Sequence, residues 1–402
     1  MRKKKVLTNK NIILGVTGGI AAYKSCEICS RLSKLGANVK VIMTDAAQKF
    51  VSPLTFQTMS SNPVYIDMFK ELDKVEVEHI ALAKWADIIV IAPCSANTIA
   101  KLANGFADNM LTTVTLASRA KKLIIPAMNT GMLENKATVR NMDILKEDGF
   151  FISETQEALL ACKDVGKGKM LEPIDIVDLI EEVLSEKDMA GKTITITAGP
   201  TREALDPVRF LSNYSSGKMG YALAREALHR GARVNLISGP TALNPPRGAN
   251  FIPVNSTEDM FKALESYFAE TDILIKSAAP CDFTPLTFSD DKIKKKEENM
   301  ILELKRTPDI LSHFAAIKGD KIIVGFAAES TNVREYARDK MKRKKMDLIV
   351  ANNITAKGAG FACDTNQVII IDKDGREEDL EMMTKKDLAG VILDRIKKLD
   401  LF

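Results

Sequence analysis

At 402 residues the chain is longer than one ordinary hydrophobic core supports, so two domains are expected. Its 46% hydrophobic and 27% charged residues are the balance of a soluble globular protein, and no apolar run reaches the roughly 20 residues of a membrane span. A net charge of +4, from 57 basic and 53 acidic side chains, does not require nucleic acid as a partner but suits anionic small substrates.

The N-terminal MRKKKVLTNK is basic yet leads straight into a strand-like run without a cleavable signal pattern, which makes the cytoplasm the default. NIILGV (11–16) reads as a buried strand, TGGIAAYK (17–24) as a glycine turn opening a helix to about Leu35, and LGANVKVIM (35–43) as a second strand. DIIVIA (87–92) is the next strand, followed by a helix over 96–102 and a strand over 121–125. An amphipathic helix closes this half, and SEKDMAG (185–191) marks the boundary, giving domains 1–188 and 189–402.

The second half repeats the opening. KTITIT (192–197) is a strand, a helix runs from about 217 to 230, and RGARVNLI (230–237) introduces the following strand. Further strands are predicted near 251–254, 272–277, 321–325, 347–351 and 367–371, with helices near 257–268, 332–343 and 385–398. Strand, turn, helix and strand recurring in this order predict an α/β protein of two doubly wound parallel sheets, each with helices on both faces.

In such folds ligands sit at the carboxyl edge of the strands. In the first half that edge gathers three small or polar loops: Gly18-Gly19-Ile20, Thr44, and Pro93-Cys94-Ser95-Ala96-Asn97. The glycines lie at 15, 18 and 19, which is not the dinucleotide spacing, but a strand–helix junction of this kind can seat one phosphate. The six cysteines are scattered, and Cys26-x-x-Cys29 falls inside a helical pattern, where core packing explains it. Of the three histidines, His229 reads as a surface or C-terminal cap residue, His313 as structural, and His79 stands at the start of a helix. Two basic runs, 292–296 and 340–345, read by themselves as solvated faces.

GGIAAYK (18–24), EHIAL (78–82), APCSANTIAKLANGFADN (92–109), PAMN (126–129) and LACKDVGKGKM (160–170) occur in this order over nearly all of residues 10–185. Together they resemble the flavin-containing decarboxylases of phosphopantothenoylcysteine. The resemblance implies a flavodoxin-like domain binding FMN through Gly18, Gly19, Ile20, Thr44, Pro93, Ser95 and Asn97. It implies oxidation of the substrate thiol to a thioaldehyde, loss of carbon dioxide to an enethiol, and re-reduction. His79 would act as base or electrostatic partner, Asn129 would hold the departing carboxylate, and Cys162 would donate the last proton. Two positions depart from the family pattern. Lys163 stands where glycine follows the catalytic cysteine, and Lys169 where arginine precedes the methionine, which implies an altered flap around Cys162.

TAGPTREALDPVRFLSNYSSGKMG (197–220), AAPCDF (278–283), KIKK (292–295), TPDIL (307–311), GFAAE (325–329) and ARDKMKRKK (337–345) resemble the phosphopantothenate–cysteine ligases over most of residues 190–400. That resemblance implies a Rossmann-like domain using CTP and Mg2+ to form an acyl-cytidylate. Asp282 and Lys292 would contact CTP, Lys340 and Lys344 its phosphates, and Phe326 its base. Lys276, Ser277 and Ala278, with Pro308, Asp309, Ile310 and Leu311, would line the nucleotide with backbone groups. Asn213 would serve the attack of cysteine, and Ser215-Ser216-Gly217 would hold the phosphate of 4′-phosphopantothenate. Basic residues between 285 and 300 would form a lid. No Mg2+ ligand is identified. Trimeric decarboxylases and dimeric ligases together imply a homo-oligomer, a dodecamer.

Two other readings are weighed. A two-domain NAD(P)-dependent oxidoreductase conflicts with the glycine spacing and with Ser238-Gly239 in place of an acidic residue after the second strand, though Asp45 follows that strand in the first half. A non-catalytic flavin-binding protein would lack His79 or Cys162, and both are present.

Overall fold

The computed structural model describes residues 6–69, 77–159, 165–294, 300–329, 332–353, 360 and 363–399. The chain divides into two compact units, residues 2–185 and 186–402 with Met1. Cys162, Lys163, Lys295 and Lys296 lie outside the described residues.

In the first unit, strands β1 (Asn11–Val16), β2 (Asn38–Met43), β3 (Val64–Tyr65), β4 (Ile88–Cys94), β5 (Lys121–Pro126) and β6 (Phe151–Ile152) form one parallel sheet of order β3-β2-β1-β4-β5-β6. The order reverses between β1 and β4, which opens a crevice at their carboxyl ends. Alternation along β1 sends Ile12, Leu14 and Val16 to one face and Ile13 to the other. The first face packs on α1 (Ala22–Lys34), α3 (Pro53–Ser60) and α9 (Pro173–Leu184), and the second on α4 (Glu78–Trp85), α5 (Ala96–Ala103), α6 (Met110–Ala117) and α8 (Lys136–Glu147). The short helices α2 (Asp45–Gln48) and α7 (Thr130–Leu133) follow β2 and β5, and the hairpin β7 (Gln156–Leu159) and β8 (Val165–Lys169) precedes α9. Cys29 is buried in the core and Cys26 packs against it, in line with a structural role.

The second unit holds an eight-stranded sheet of order β13-β12-β9-β14-β17-β18-β20-β21. Its members are β9 (Thr193–Ala198), β12 (Arg233–Ser238), β13 (Asn250–Pro253), β14 (Ile273–Lys276), β17 (Ile322–Glu329), β18 (Leu348–Asn353), β20 (Val368–Asp372) and β21 (Glu377–Asp379). The first six repeat the order of the first unit. β20 and β21 then extend the sheet antiparallel, so it is mixed rather than purely parallel. One face packs on α10 (Lys218–His229) and α14 (Lys385–Ile396), the other on α11 (Thr257–Phe268), α12 (Ile310–Ala316) and α13 (Val333–Arg343). Three small two-stranded pairings complete the unit: β10 (Arg202–Ala204) with β11 (Phe210–Ser212), β15 (Phe283–Pro285) with β16 (Leu304–Arg306), and β19 (Thr365–Asn366) with β22 (Met383–Thr384).

The helix after β9 starts at Lys218, close to the expected position, with Gly217 as its cap at φ +77. That left-handed cap favours glycine, and a Cβ there would lie 2.7 Å from Thr241 Cγ2. His229 is 4% exposed, so it is not a surface group, but it ends α10 in the last turn, where the C-terminal alternative had it. Its carbonyl accepts from Lys187 Nζ at 2.7 Å. His313 is exposed and meets Phe261 and Phe314 edge-on, a structural arrangement.

Candidate active sites

At the crevice of the first sheet, Thr17 organises the loops. Its Oγ1 donates to the Pro93 carbonyl at 2.8 Å and accepts from the Ser95 N–H at 3.0 Å. Gly18 lets the loop after β2 approach, because a Cβ there would fall 2.5 Å from Ala46 Cβ. The three predicted loops therefore touch. A Cβ on Gly19 would meet nothing within 4 Å, so the backbone here faces open space. Ile20 and Asn97 are exposed beside it. The Thr44 and Ser95 hydroxyls cap α2 and α5, accepting from Ala47 N and Thr98 N at 3.3 Å each. An open glycine backbone, two loop hydroxyls and the start of α1 make a donor set that fits a phosphate.

His79 is half-buried in the first turn of α4, which leaves the same carboxyl edge. Asn129 follows β5, exposed, with Oδ1 accepting from Gly131 N at 2.8 Å. Its loop is tied to β8: Met128 N donates to Gly168 O at 3.1 Å, and Thr130 Oγ1 to Lys167 O at 2.7 Å. These bonds bring the described strand β8 of the β7–β8 hairpin beside Asn129. Lys169 lies 3.6 Å from Glu172, which also accepts from the buried Lys24 Nζ at 2.8 Å. Sequence reasoning missed Thr17 and Lys24, although Lys24 ends the GGIAAYK motif.

At the carboxyl edge of the second sheet, the segment between Gly199 and Gly217 forms the hairpin β10–β11. It carries Asn213, whose Nδ2 donates to Ala279 O at 2.9 Å and Pro280 O at 3.1 Å. Those carbonyls belong to the loop after β14 that continues from Lys276, Ser277 and Ala278 to the exposed Asp282. Ser277 N and Ala278 N are themselves engaged by Thr197, at 3.2 Å and 3.3 Å. Thr307 N donates to Asp282 O at 3.1 Å, which places Pro308, Asp309, Ile310 and Leu311 next to it. Ile310 and Leu311 are buried, so their side chains belong to the core.

Asp309 caps α12 and forms an ion pair with Lys344, which also donates to Ser312 Oγ at 2.8 Å. Lys340 Nζ donates to the Phe326 carbonyl at 3.1 Å. Lys276, Asp282, Asp309, Phe326, Lys340 and Lys344 thus surround one edge. Ser215, Ser216 and Gly217 stand at the α10 N-terminus, beside Gly199.

Lys292 is exposed and makes none of these contacts among the described residues. Its neighbour Ile293 is clamped instead: Ile293 N donates to Asp206 Oδ2 at 3.0 Å, and Ile293 O accepts from Arg209 at 2.5 Å. Burial opposes ionisation of Asp206, but the N–H groups of Val208, Ile293 and Arg209 outweigh it and hold the carboxyl below its usual range. Among the described residues no group of three or more His, Cys, Asp or Glu could hold a metal ion. No helix among them is long and apolar enough to cross a membrane.

Residues 1–185 match the flavoprotein family, and residues 189–399 match the family described as DNA/pantothenate metabolism flavoprotein C-terminal domain. The chain is 52% identical over 398 residues to the coenzyme A biosynthesis bifunctional protein CoaBC of Bacillus subtilis (strain 168), covering 98% of each. It is 42% identical over 398 residues to the protein of the same name from Vibrio vulnificus (strain YJ016), covering 98% of this chain and 99% of that one. The crystal structure of the C-terminal domain of a CoaBC protein is 42% identical with a TM-score of 0.46, covering 53% of this chain and 97% of that chain.

Proposed function

The chain belongs to the family of bifunctional coenzyme A biosynthesis proteins, a flavoprotein decarboxylase joined to a ligase, and from that premise we propose how its residues divide the two reactions. The ligase domain, residues 189–402, couples 4′-phosphopantothenate to cysteine. The carboxylate attacks the α-phosphorus of CTP, pyrophosphate leaves, and the cysteine amine displaces CMP from the acyl-cytidylate. Repulsion between a carboxylate and a triphosphate must be screened, which is the work of Mg2+ with Lys292, Lys340 and Lys344. Asp282 and Phe326 hold the nucleoside, and the loops at 276–278 and 308–311 line it. Asn213, fixed by two carbonyls of the neighbouring loop, faces the acyl group during cysteine attack. Ser215, Ser216 and Gly217 receive the phosphate of phosphopantothenate.

The decarboxylase domain, residues 1–188, converts the product to 4′-phosphopantetheine. Bound FMN supplies the two-electron sink that spares the substrate a free carbanion. Gly18, Gly19, Ile20, Thr44, Pro93, Ser95 and Asn97 would hold it in the crevice described above. His79 acts as base or electrostatic partner while the thiol is oxidised and the carboxylate departs. Asn129 binds that carboxylate through a neutral amide, which lets it leave where an arginine would retain it. Cys162 gives its proton in the last step. A homo-oligomer combining trimeric and dimeric contacts, a dodecamer, working in the cytoplasm, completes the reading.

What supports it is that Thr17, Gly18, Thr44, Ser95 and Asn129 lie at the carboxyl edge of the first sheet, and Asn213, Lys276, Asp282, Asp309, Lys340 and Lys344 at that of the second. Purified protein given phosphopantothenate, cysteine, CTP and Mg2+ should release both pyrophosphate and carbon dioxide. A Cys162→Ser variant should stall at an oxidised, decarboxylated species while pyrophosphate release continues. Unchanged phosphopantetheine output from that variant would refute the role of Cys162.

A further inference from the structure

Strand β14 ends at Lys276, and period-2 alternation decides which way this side chain faces. Ile273 and Ile275 belong to the core under α10 and α14, whereas Leu274 belongs to the core under α11, α12 and α13. Lys276 therefore shares the face of Leu274, toward the N-terminus of α12 and the last turns of α13. It pairs with Gly325 of β17, next to Phe326, the residue whose carbonyl engages Lys340. Lys344, the C-cap of α13, is drawn to Asp309 and Ser312. The charged groups acting on Lys276 are Lys340 and Lys344 from α13, Asp309 from the cap of α12, and Asp282 from its own loop. Three amines face two carboxylates. Among the described residues the Lys276 amine donates no hydrogen bond, so it is not committed to a protein acceptor as those of Lys340 and Lys344 are.

We infer that the Lys276 side chain is the third cation of the triphosphate cradle, completing it with Lys340 and Lys344 and taking up a proton as the nucleotide binds. The proposal rests on the CTP reading above and gives Lys276 a side-chain role where the motif implied only backbone contacts. Burial first, and then the charge of Lys340, push the Lys276 amine down to about 8. A polyanion placed against it favours the charged form and raises that value again. The sign follows: below about pH 7 the amine is already charged and binding draws no proton, whereas above about pH 8 binding draws one from solution. Arginine at this position would stay charged throughout.

The test is calorimetric titration of the full chain with magnesium-loaded CTP, near pH 6.5 and near pH 8.5, in buffers of unlike ionisation enthalpy. Wild-type protein should show proton uptake at the higher pH that vanishes at the lower. Lys276→Met should bind about tenfold more weakly at low pH and lose the uptake, while Lys276→Arg should restore affinity without it. Should Lys276→Met fail to fold, the contrast between wild type and Lys276→Arg still decides. Wild-type affinity together with undiminished uptake in either variant would overturn the proposal. Wild-type protein that binds no CTP at all would overturn the underlying reading of the site, a separate and recognisable result.

Discussion

Asp206 shows how one buried side chain can govern a residue it never touches. It is 2% exposed, and its two carboxylate oxygens accept from Val208 N, Arg209 N, Arg209 Nε and Ile293 N. The Asp206–Arg209 pair thereby occupies both backbone polar groups of Ile293, the residue after Lys292. The same β10–β11 hairpin leads into Asn213, so the residue proposed for activation and the one proposed for acyl transfer share a support. Asp206→Asn keeps the shape but cannot pair with Arg209 as an anion. It is expected to lower ligase kcat by about tenfold or more with a smaller change in the KM for cysteine. Decarboxylation of supplied phosphopantothenoylcysteine should be unchanged, and Asp206→Glu should recover part of the ligase loss. Steady-state kinetics of the two half-reactions check this, and parallel loss of both activities would point to general unfolding instead.

At the scale of elements, the hairpin β7–β8 depends on the backbone geometry of one glycine. Gly168 has φ +123, and a Cβ there would fall 2.2 Å from the Met128 carbonyl oxygen, the residue just before Asn129. Gly168→Ala must move β8 away from the 128–130 loop. The expected outcome is a fall of about tenfold or more in decarboxylase kcat/KM with pyrophosphate release intact, read by carbon dioxide and pyrophosphate assays on one preparation. The period-2 and period-3.6 runs made the main strands and helices legible in the sequence, the helix over 257–268 to the residue. The hairpins β7–β8, β10–β11 and β15–β16 were not legible, because their strands are three to five residues long and, among the described residues, contribute none to a core cluster. The antiparallel β20 and β21 escaped for a related reason, since apolar alternation does not encode strand direction. That the candidate site residues would cluster was legible because the carboxyl ends of parallel strands share one edge. Thr17, Lys24 and Asp206 were not legible, since each has at least one decisive partner distant in sequence: Pro93, Glu172 and Ile293.

At the scale of the whole molecule, each unit has its own pair of core clusters, so a contact inside one need not affect the stability of the other. The second unit is closed by charges near its chain ends. Arg230, 3% exposed at the end of α10, donates to both oxygens of Asp188 at 2.7 and 2.6 Å and to Asp394 of α14 at 2.8 Å. Lys397 adds a contact to Asp188 at 2.9 Å. Burial alone would raise the Asp188 pKa, but Arg230 and Lys397 outweigh it and bring the carboxyl down to about 2. A carboxyl lowered from the ordinary unfolded value near 4 stabilises the fold above about pH 4, and that contribution disappears as pH falls from there toward 2. Asp188→Asn should therefore lower the melting temperature of the ligase unit at pH 6, and the difference from wild type should shrink steadily below pH 4. The flavoprotein unit, followed through its bound flavin, should melt alike in both proteins at pH 6. Calorimetric scans across this range check both statements. A difference that stays constant down to pH 2 would remove the Asp188 charge from the account, and a flavoprotein transition that shifts with the substitution would show that the two units do not unfold independently.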